Sequence, residues 1–135
     1  MFVIDASVTL AWCFADEATP GAESVLDHFS EDEAVVPAIW PLEIANVLLV
    51  AQRRKRLTEA QASRFSDLLQ QLPIHVVDAP TDLADVVAAG RHHELSSYDA
   101  AYLVLAERTG APLATLDHRL ADAATRAGVR LLISG

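Results

Sequence analysis

Short, mostly apolar runs of β type recur along the chain at Phe2-Val3-Ile4, Ala34-Val35-Val36, Ile74 to Val77, Leu113 to Leu116 and Val129 to Ile133. Stretches with helical character separate them. Strands that face water on one side alternate polar and apolar residues. Runs this apolar belong instead in a sheet buried on both faces, and strand–helix alternation is how a chain covers both faces of a parallel sheet. The expected fold is therefore α/β, a doubly wound three-layer sandwich with a parallel five-stranded sheet flanked by helices. At 135 residues the chain has the length of one domain, spanning residues 1–135. In such a fold ligands lie beyond the carboxyl ends of the strands, near the point where strand order reverses.

Local signals place the helices. Val8 to Phe14 reads as a helical turn or two after the first strand. Thr19 caps a helix to about Phe29, Pro37 ends the second strand, and Pro41 opens a long helix to about Arg56. Thr58 and Gln61 have the spacing of a capping box and start a helix to about Leu72, just ahead of Pro73. After a turn at Asp78-Ala79-Pro80, a helix runs from about Thr81 to His92. Another starts near Ser97 and is closed by Gly110, and the last runs from about His118 to Ala127 and stops at Gly128.

Hydrophobic residues make up 52% of the chain, which suffices for a core of its own without a disulfide or a structural metal. The single cysteine, Cys13, excludes an intrachain bridge and a Cys-rich zinc cage. The strand pattern begins at Met1, so no secretory leader is expected and the location is expected to be cytoplasmic. The longest apolar stretch, Ile44 to Ala51, is broken by Asn46 and falls far short of the ~20 residues of a membrane span. A net charge of −9 disfavours any nucleic-acid binder that relies on bulk charge. A nucleic-acid enzyme with this balance needs bound cations or a basic partner.

Four acidic residues stand out by position. Asp5 follows the first strand and Asp117 the fourth, and taken singly each reads as a helix cap. Asp99 lies three residues after Ser96, the spacing of a capping box, and in a first turn its charge also suits the helix dipole. Glu43 interrupts the apolar segment Ile39 to Val50, with no Lys or Arg within one turn to pair it; a dipole carboxylate and a site residue are equally good readings. The joint pattern carries more. Two like charges about 4 Å apart repel by about 4 kcal/mol at an effective dielectric near 20, so acids gathered at one end of a sheet need a cation. Lys55 is the only lysine and no arginine adjoins these acids in sequence, which points to a hard divalent ion, Mg²⁺ or Mn²⁺. Such equipment serves phosphodiester hydrolysis. Asp78 and Asp82, also at a strand end and a helix start, are rival ligands.

The remaining polar and aromatic features read more plainly. Arg53-Arg54-Lys55-Arg56 is first of all a solvated basic helix end. Arg53 and Arg54 nevertheless fall within about 80° of Glu43 around the helix and roughly 15 Å along it, a placement suited to the phosphates of a bound nucleic-acid strand. His92 and His93 are adjacent and so unsuited to share one ion on a helix. Trp12, Trp40, Tyr98 and Tyr102 are scattered rather than grouped on a strand face, and read as core or interface.

The segments Phe2 to Ser7, Pro41 to Leu48, Ser97 to Ala106 and Leu113 to Asp117 together resemble the acidic motifs of the PIN-domain ribonucleases, and most closely those of VapC-type toxins of bacterial toxin–antitoxin pairs. The resemblance runs from residue 2 to about residue 133, with every motif in order. It implies a strand order 3-2-1-4-5 and a Mg²⁺- or Mn²⁺-dependent endoribonuclease that hydrolyses RNA through metal-activated water. On the same footing it maps the metal-site acids onto Asp5, Glu43, Asp99 and Asp117, and supporting hydroxyls onto Ser7 and Thr115. A cognate antitoxin with an Arg or Lys for the acidic cleft, and a homodimer, are the partners it implies. Ala11 stands where relatives often carry a basic residue. No side-chain nucleophile competes, since Ser7 has no sequence-visible His partner and Cys13 lies in an apolar helical stretch.

Other classes fare worse. A haloacid-dehalogenase-type phosphatase needs an Asp at position 7, where Ser7 stands, and a dinucleotide-binding module needs a glycine-rich first turn, which Asp5 to Thr9 lacks. The alternative that remains is a catalytically inactive PIN-like interaction module whose acids merely cap helices.

Overall fold

The computed structural model describes residues 1–79 and 81–133. Pro80, Ser134 and Gly135 lie outside the described residues, and with Pro80 so does part of the turn expected at Asp78 to Pro80. The elements follow as β1 (Phe2–Ile4), α1 (Ala6–Ala11), a 3₁₀ turn (Ala15–Glu17), α2 (Pro20–His28), β2 (Ala34–Val36), α3 (Ile39–Arg53), α4 (Glu59–Gln70), β3 (Ile74–Val76), α5 (Leu83–His93), α6 (Ser97–Thr109), β4 (Leu113–Ala114) and α7 (His118–Arg126). The sheet is parallel throughout in the order β3-β2-β1-β4, with Val3 opposite both Val35 and Leu113.

The capping chemistry sets most boundaries. Thr19 accepts the Ala22 N–H, Thr58 and Gln61 close a complete capping box, and Gly110 and Gly128, at φ +67° and +79°, end α6 and α7 in the left-handed region where a side chain is disfavoured. Helix α3 starts two residues before Pro41, whose missing N–H costs nothing in a first turn. It also stops at Arg53 rather than near Arg56. Lys55 adopts φ +61°, and the Arg56 guanidinium folds back 4.3 Å from the Phe14 ring centroid to pair with Asp16.

The fifth strand expected over Val129 to Ile133 is reduced to one parallel bridge, Leu113 to Leu131. The cause lies in β4, which keeps strand pairing only to Ala114, so the neighbouring chain has little to pair with. Beyond that point the backbone turns into the site: the Leu116 N–H donates to Ser7 Oγ and the Asp117 N–H to Thr115 Oγ1. The bridge still places the last segment beside β4, in keeping with the expected order.

The core lies on both sides of β1, whose three residues are fully buried. Tyr102, Leu103 and Ala106 of α6 pack on one cluster with Leu120, Ala123 and Ala124 of α7, while Val86 of α5 meets Ala100 and Val104 in a smaller one. Strand order reverses between β1 and β4, so the carboxyl ends of those two strands flank the crevice expected of a doubly wound sheet.

Candidate active site

Asp5 is the single residue between β1 and α1. Its extended backbone ends the strand, and its side chain caps the helix by accepting the Val8 N–H at Oδ1, 3.1 Å away. That is half of its bonding. Ser7 Oγ donates to the same oxygen at 2.6 Å, and Thr115 Oγ1 donates to Oδ2. Each hydroxyl has one proton and gives it to Asp5; each then accepts a backbone N–H, Ser7 from Leu116 and Thr115 from Asp117. Asp5 is thus tied to β4 across the reversal of strand order, and only one lone pair, on Oδ2, stays without a donor. Burial pushes its carboxyl up to about 6, against the pull of the three donors, and Asp99 pushes the same way.

Glu43 projects from α3 half-buried. Tyr102, buried in α6, donates its hydroxyl to Glu43 Oε1 at 2.6 Å. Burial raises the Glu43 carboxyl, the tyrosine bond lowers it, and Asp99 raises it again. The Tyr102 hydroxyl, buried beside that carboxylate, is pushed far above its ordinary range and stays a donor.

Asp99 is where the capping reading fails. Ser96 Oγ accepts the Asp99 N–H at 3.2 Å, but among the described residues the reciprocal bond from Ser96 N–H to the Asp99 carboxylate is not formed. The carboxylate is left free, half-buried, and raised first by burial and then by Asp117. Asp117 caps α7 through Oδ1 alone, accepting from the Arg119 and Leu120 N–H groups. Four acids from distant segments therefore share one end of the sheet, and Asp99 and Asp117 are the charges that raise their neighbours. Among the described residues, none of the four takes part in an ion pair.

Those acids do not form a ready-made cage: among the described residues, no three His, Cys, Asp or Glu side chains are grouped to hold an ion. The donors present are all hard carboxylate oxygens, which fit Mg²⁺ or Mn²⁺, and Mg²⁺ keeps several waters while taking one or two carboxylates.

The other expected residues scatter. Asp78 and Asp82 are exposed, and Asp82 caps α5 by accepting the Asp85 N–H. Arg53 and Arg54 are exposed at the end of α3; since Arg54 is the C-cap, only Arg53 keeps the helical angle of about 80° from Glu43. Ala11 is buried, and Tyr98 is exposed rather than in the core. His92 and His93 meet edge to face at 4.6 Å. The Cys13 thiol is pushed up by burial, away from the reactive thiolate.

Two contacts were not foreseen from sequence. Tyr102 does sit in the core, but its hydroxyl reaches the site; its place one turn after Asp99 was the available signal, because a buried tyrosine hydroxyl needs a partner. Trp40 Nε1 donates to Thr9 Oγ1 at 3.1 Å, and Thr9 Oγ1 donates to the Asp5 carbonyl at 3.0 Å, a buried strut between the Glu43 helix and the Asp5 backbone. Elsewhere, an apolar groove of about 710 Å³ runs between α3 and α4, lined in part by Trp40, Ile44, Leu48 and Leu69, and none of the four acids lines it.

Comparison with known proteins gives the family. The PIN domain family model matches residues 2–126. Ribonuclease VapC3 of Pyrobaculum aerophilum is 34% identical over 122 residues, covering 89% of this chain and 92% of that protein. The chain belongs to the PIN domain family. Among solved structures, PAE2754 from Pyrobaculum aerophilum superposes with a TM-score of 0.71 at 24% identity, covering 90% of this chain and 83% of that one. A toxin–antitoxin complex from Klebsiella pneumoniae gives 0.61 at 18% identity, with 87% of each chain covered. Those two likenesses concern the fold. No helix among the described residues is long and apolar enough to cross a membrane.

Proposed function

We propose that the protein is a divalent-metal-dependent endoribonuclease acting as the toxin of a toxin–antitoxin pair. One observation carries the reading: four acids from α3, α6 and the ends of β1 and β4 share one end of the sheet, where burial and then a neighbouring carboxylate raise Asp5, Glu43 and Asp99, and among the described residues no basic side chain pairs with any of the four. Helix capping accounts for Asp5 and Asp117 in part, and not for the carboxylates of Glu43 and Asp99, neither of which caps a helix among the described residues. Kinship with a ribonuclease supports the nuclease half of the reading, and the solved toxin–antitoxin relative supports the partner.

Asp5 and Asp99 would hold Mg²⁺ or Mn²⁺, with Glu43 and Asp117 supporting that ion or a second one. When bound, such an ion supplies a water of lowered pKa and neutralises charge on the scissile phosphate. The protein's own part is positional. Ser7 and Thr115 fix Asp5 and leave one lone pair of Oδ2 without a donor, Tyr102 holds Glu43, and of Arg53 and Arg54 the first, still within α3, would meet RNA phosphates. The cognate antitoxin would bring an Arg or Lys to the acidic crevice, where charge-assisted bonds replace the cation. A homodimer completes the reading.

The experiment is RNA hydrolysis by the purified chain with Mg²⁺ or Mn²⁺. Cleavage should stop in excess chelator and in folded Asp5→Asn and Asp99→Asn proteins. The second reading, an inactive interaction module, draws on the two backbone bonds that Asp117 Oδ1 accepts. Cleavage that ignores both chelator and substitutions would come from a contaminant and favour it.

A further inference from the structure

We propose that Tyr102 is a positioning residue of the acidic centre, clamping Glu43 Oε1 so that this carboxylate stays beside Asp99 to serve a divalent cation. The inference rests on the reading of the four acids as cation-holding groups and adds a residue to it.

Glu43 has reason to leave. It is half-buried at the rim of α3, where neighbouring Leu42 is 67% exposed and Asn46 is exposed, so water lies within reach of its flexible side chain. Asp99 repels it. Left to these forces, the carboxylate would turn outward, gaining hydration and rotamer freedom. Against them stands a 2.6 Å bond from a hydroxyl to an ionised oxygen, a class roughly twice as strong as a neutral hydrogen bond.

The clamp is stiff because of where it is mounted. Tyr102 is 1% exposed and packed in the main core, so its ring has little freedom to follow Glu43 outward. Asp99 lies three residues earlier on α6, on the same side of that helix. One rigid helix thus carries Asp99 and also the group that fixes Glu43, which makes the spacing of the two acids a property of α6. With Oε1 engaged, Oε2 is the oxygen without a side-chain donor. A tyrosine needed only for packing would satisfy its hydroxyl at any acceptor; this one reaches an acid 59 residues away.

The test is a double-mutant cycle on the full chain after chelator treatment, with Mn²⁺ titrated in and free ion followed by its electron paramagnetic resonance signal. Tyr102→Phe keeps the ring and removes the donor. It is expected to weaken Mn²⁺ binding about 10-fold, the lower end of the range for groups that orient metal ligands. RNA kcat should fall while KM stays, and the melting temperature of the metal-free protein should move by only a few degrees. Glu43→Gln should weaken binding as well, and the double variant should be no weaker than Glu43→Gln alone. Unchanged Mn²⁺ affinity in Tyr102→Phe, or losses that add in the double variant, would overturn the clamp. Should Tyr102→Phe not fold, Glu43→Asp breaks the same bond from the other side by one methylene and must show the same weakening; wild-type affinity there also overturns the proposal. A wild-type protein that binds no Mn²⁺ overturns the underlying reading, and the inference with it.

Discussion

Asp5 and Glu43 are both carboxylates held by hydroxyls, yet they are built in opposite ways. Asp5 is 4% exposed, has three donors from two elements and sits at a strand–helix junction with no spare residue. Glu43 has one donor and stands half in water. Burial opposes charge at Asp5 more strongly than its three donors favour it, so its carboxyl rises to about 6 despite them. The contrast teaches that a heavily hydrogen-bonded carboxylate can still destabilise the metal-free fold, because its donors hold it in position and offset only part of the cost of burying its charge.

The largest effect should come from Asp5→Asn. Loss of a direct ligand should cost more than the 10–100-fold attached to its supporting groups, so RNA cleavage should drop by at least about 100-fold. Stability should move the other way. The folded carboxyl, at about 6, lies above its ordinary 3.8, so between those values the unfolded chain releases a proton that the folded chain still holds. Stability therefore falls as pH rises through that window, by about 3 kcal/mol once pH exceeds 6. In chelator, Asp5→Asn should melt progressively higher than wild type from pH 4 to 6, and the gap should level off above. A gap that shrinks as pH rises would break the comparison.

Thr115→Val comes next. It removes the donor to Oδ2 and strands the Asp117 N–H, so it should cost about 1–3 kcal/mol in thermal or denaturant unfolding. Glu43→Gln should be nearly neutral for folding while cleavage falls about 10–100-fold, since its polar end already reaches water. Equal stability losses in these two variants would erase the distinction between a built-in and a tethered acid. The smallest effect belongs to Asp78→Asn, at an exposed position: unfolding within about 0.5 kcal/mol of wild type, and unchanged RNA cleavage.

The features legible in the sequence are those settled within a few residues. The Thr58–Gln61 box, the Thr19 cap and the Gly110 stop are local bargains between side chain and backbone, and the helices start or end accordingly. The fifth strand was not legible, because its pairing depends on β4 turning away after Ala114, a decision made by contacts with Ser7 more than a hundred residues earlier. The run Arg53 to Arg56 misled for a similar reason: Arg56 is claimed by Phe14 and Asp16. For the site, the spacing of four acidic segments pointed to one end of the sheet. Which acids were free of capping was hidden, since Ser96 and Asp99 have box spacing and form only half the box. The scatter of the aromatics reads Tyr102 as core or interface but says nothing of where its hydroxyl points.

The junction at Asp5 has one more consequence. A strand passes into a helix there through a single residue, so the path has no slack to absorb a change in length. Inserting one residue between Ile4 and Ala6 would either turn the carboxylate toward the opposite side of the sheet or swing α1 off its seat by a full helical step. Drift at this corner is therefore confined to swapping side chains; lengthening or shortening it has nowhere to go.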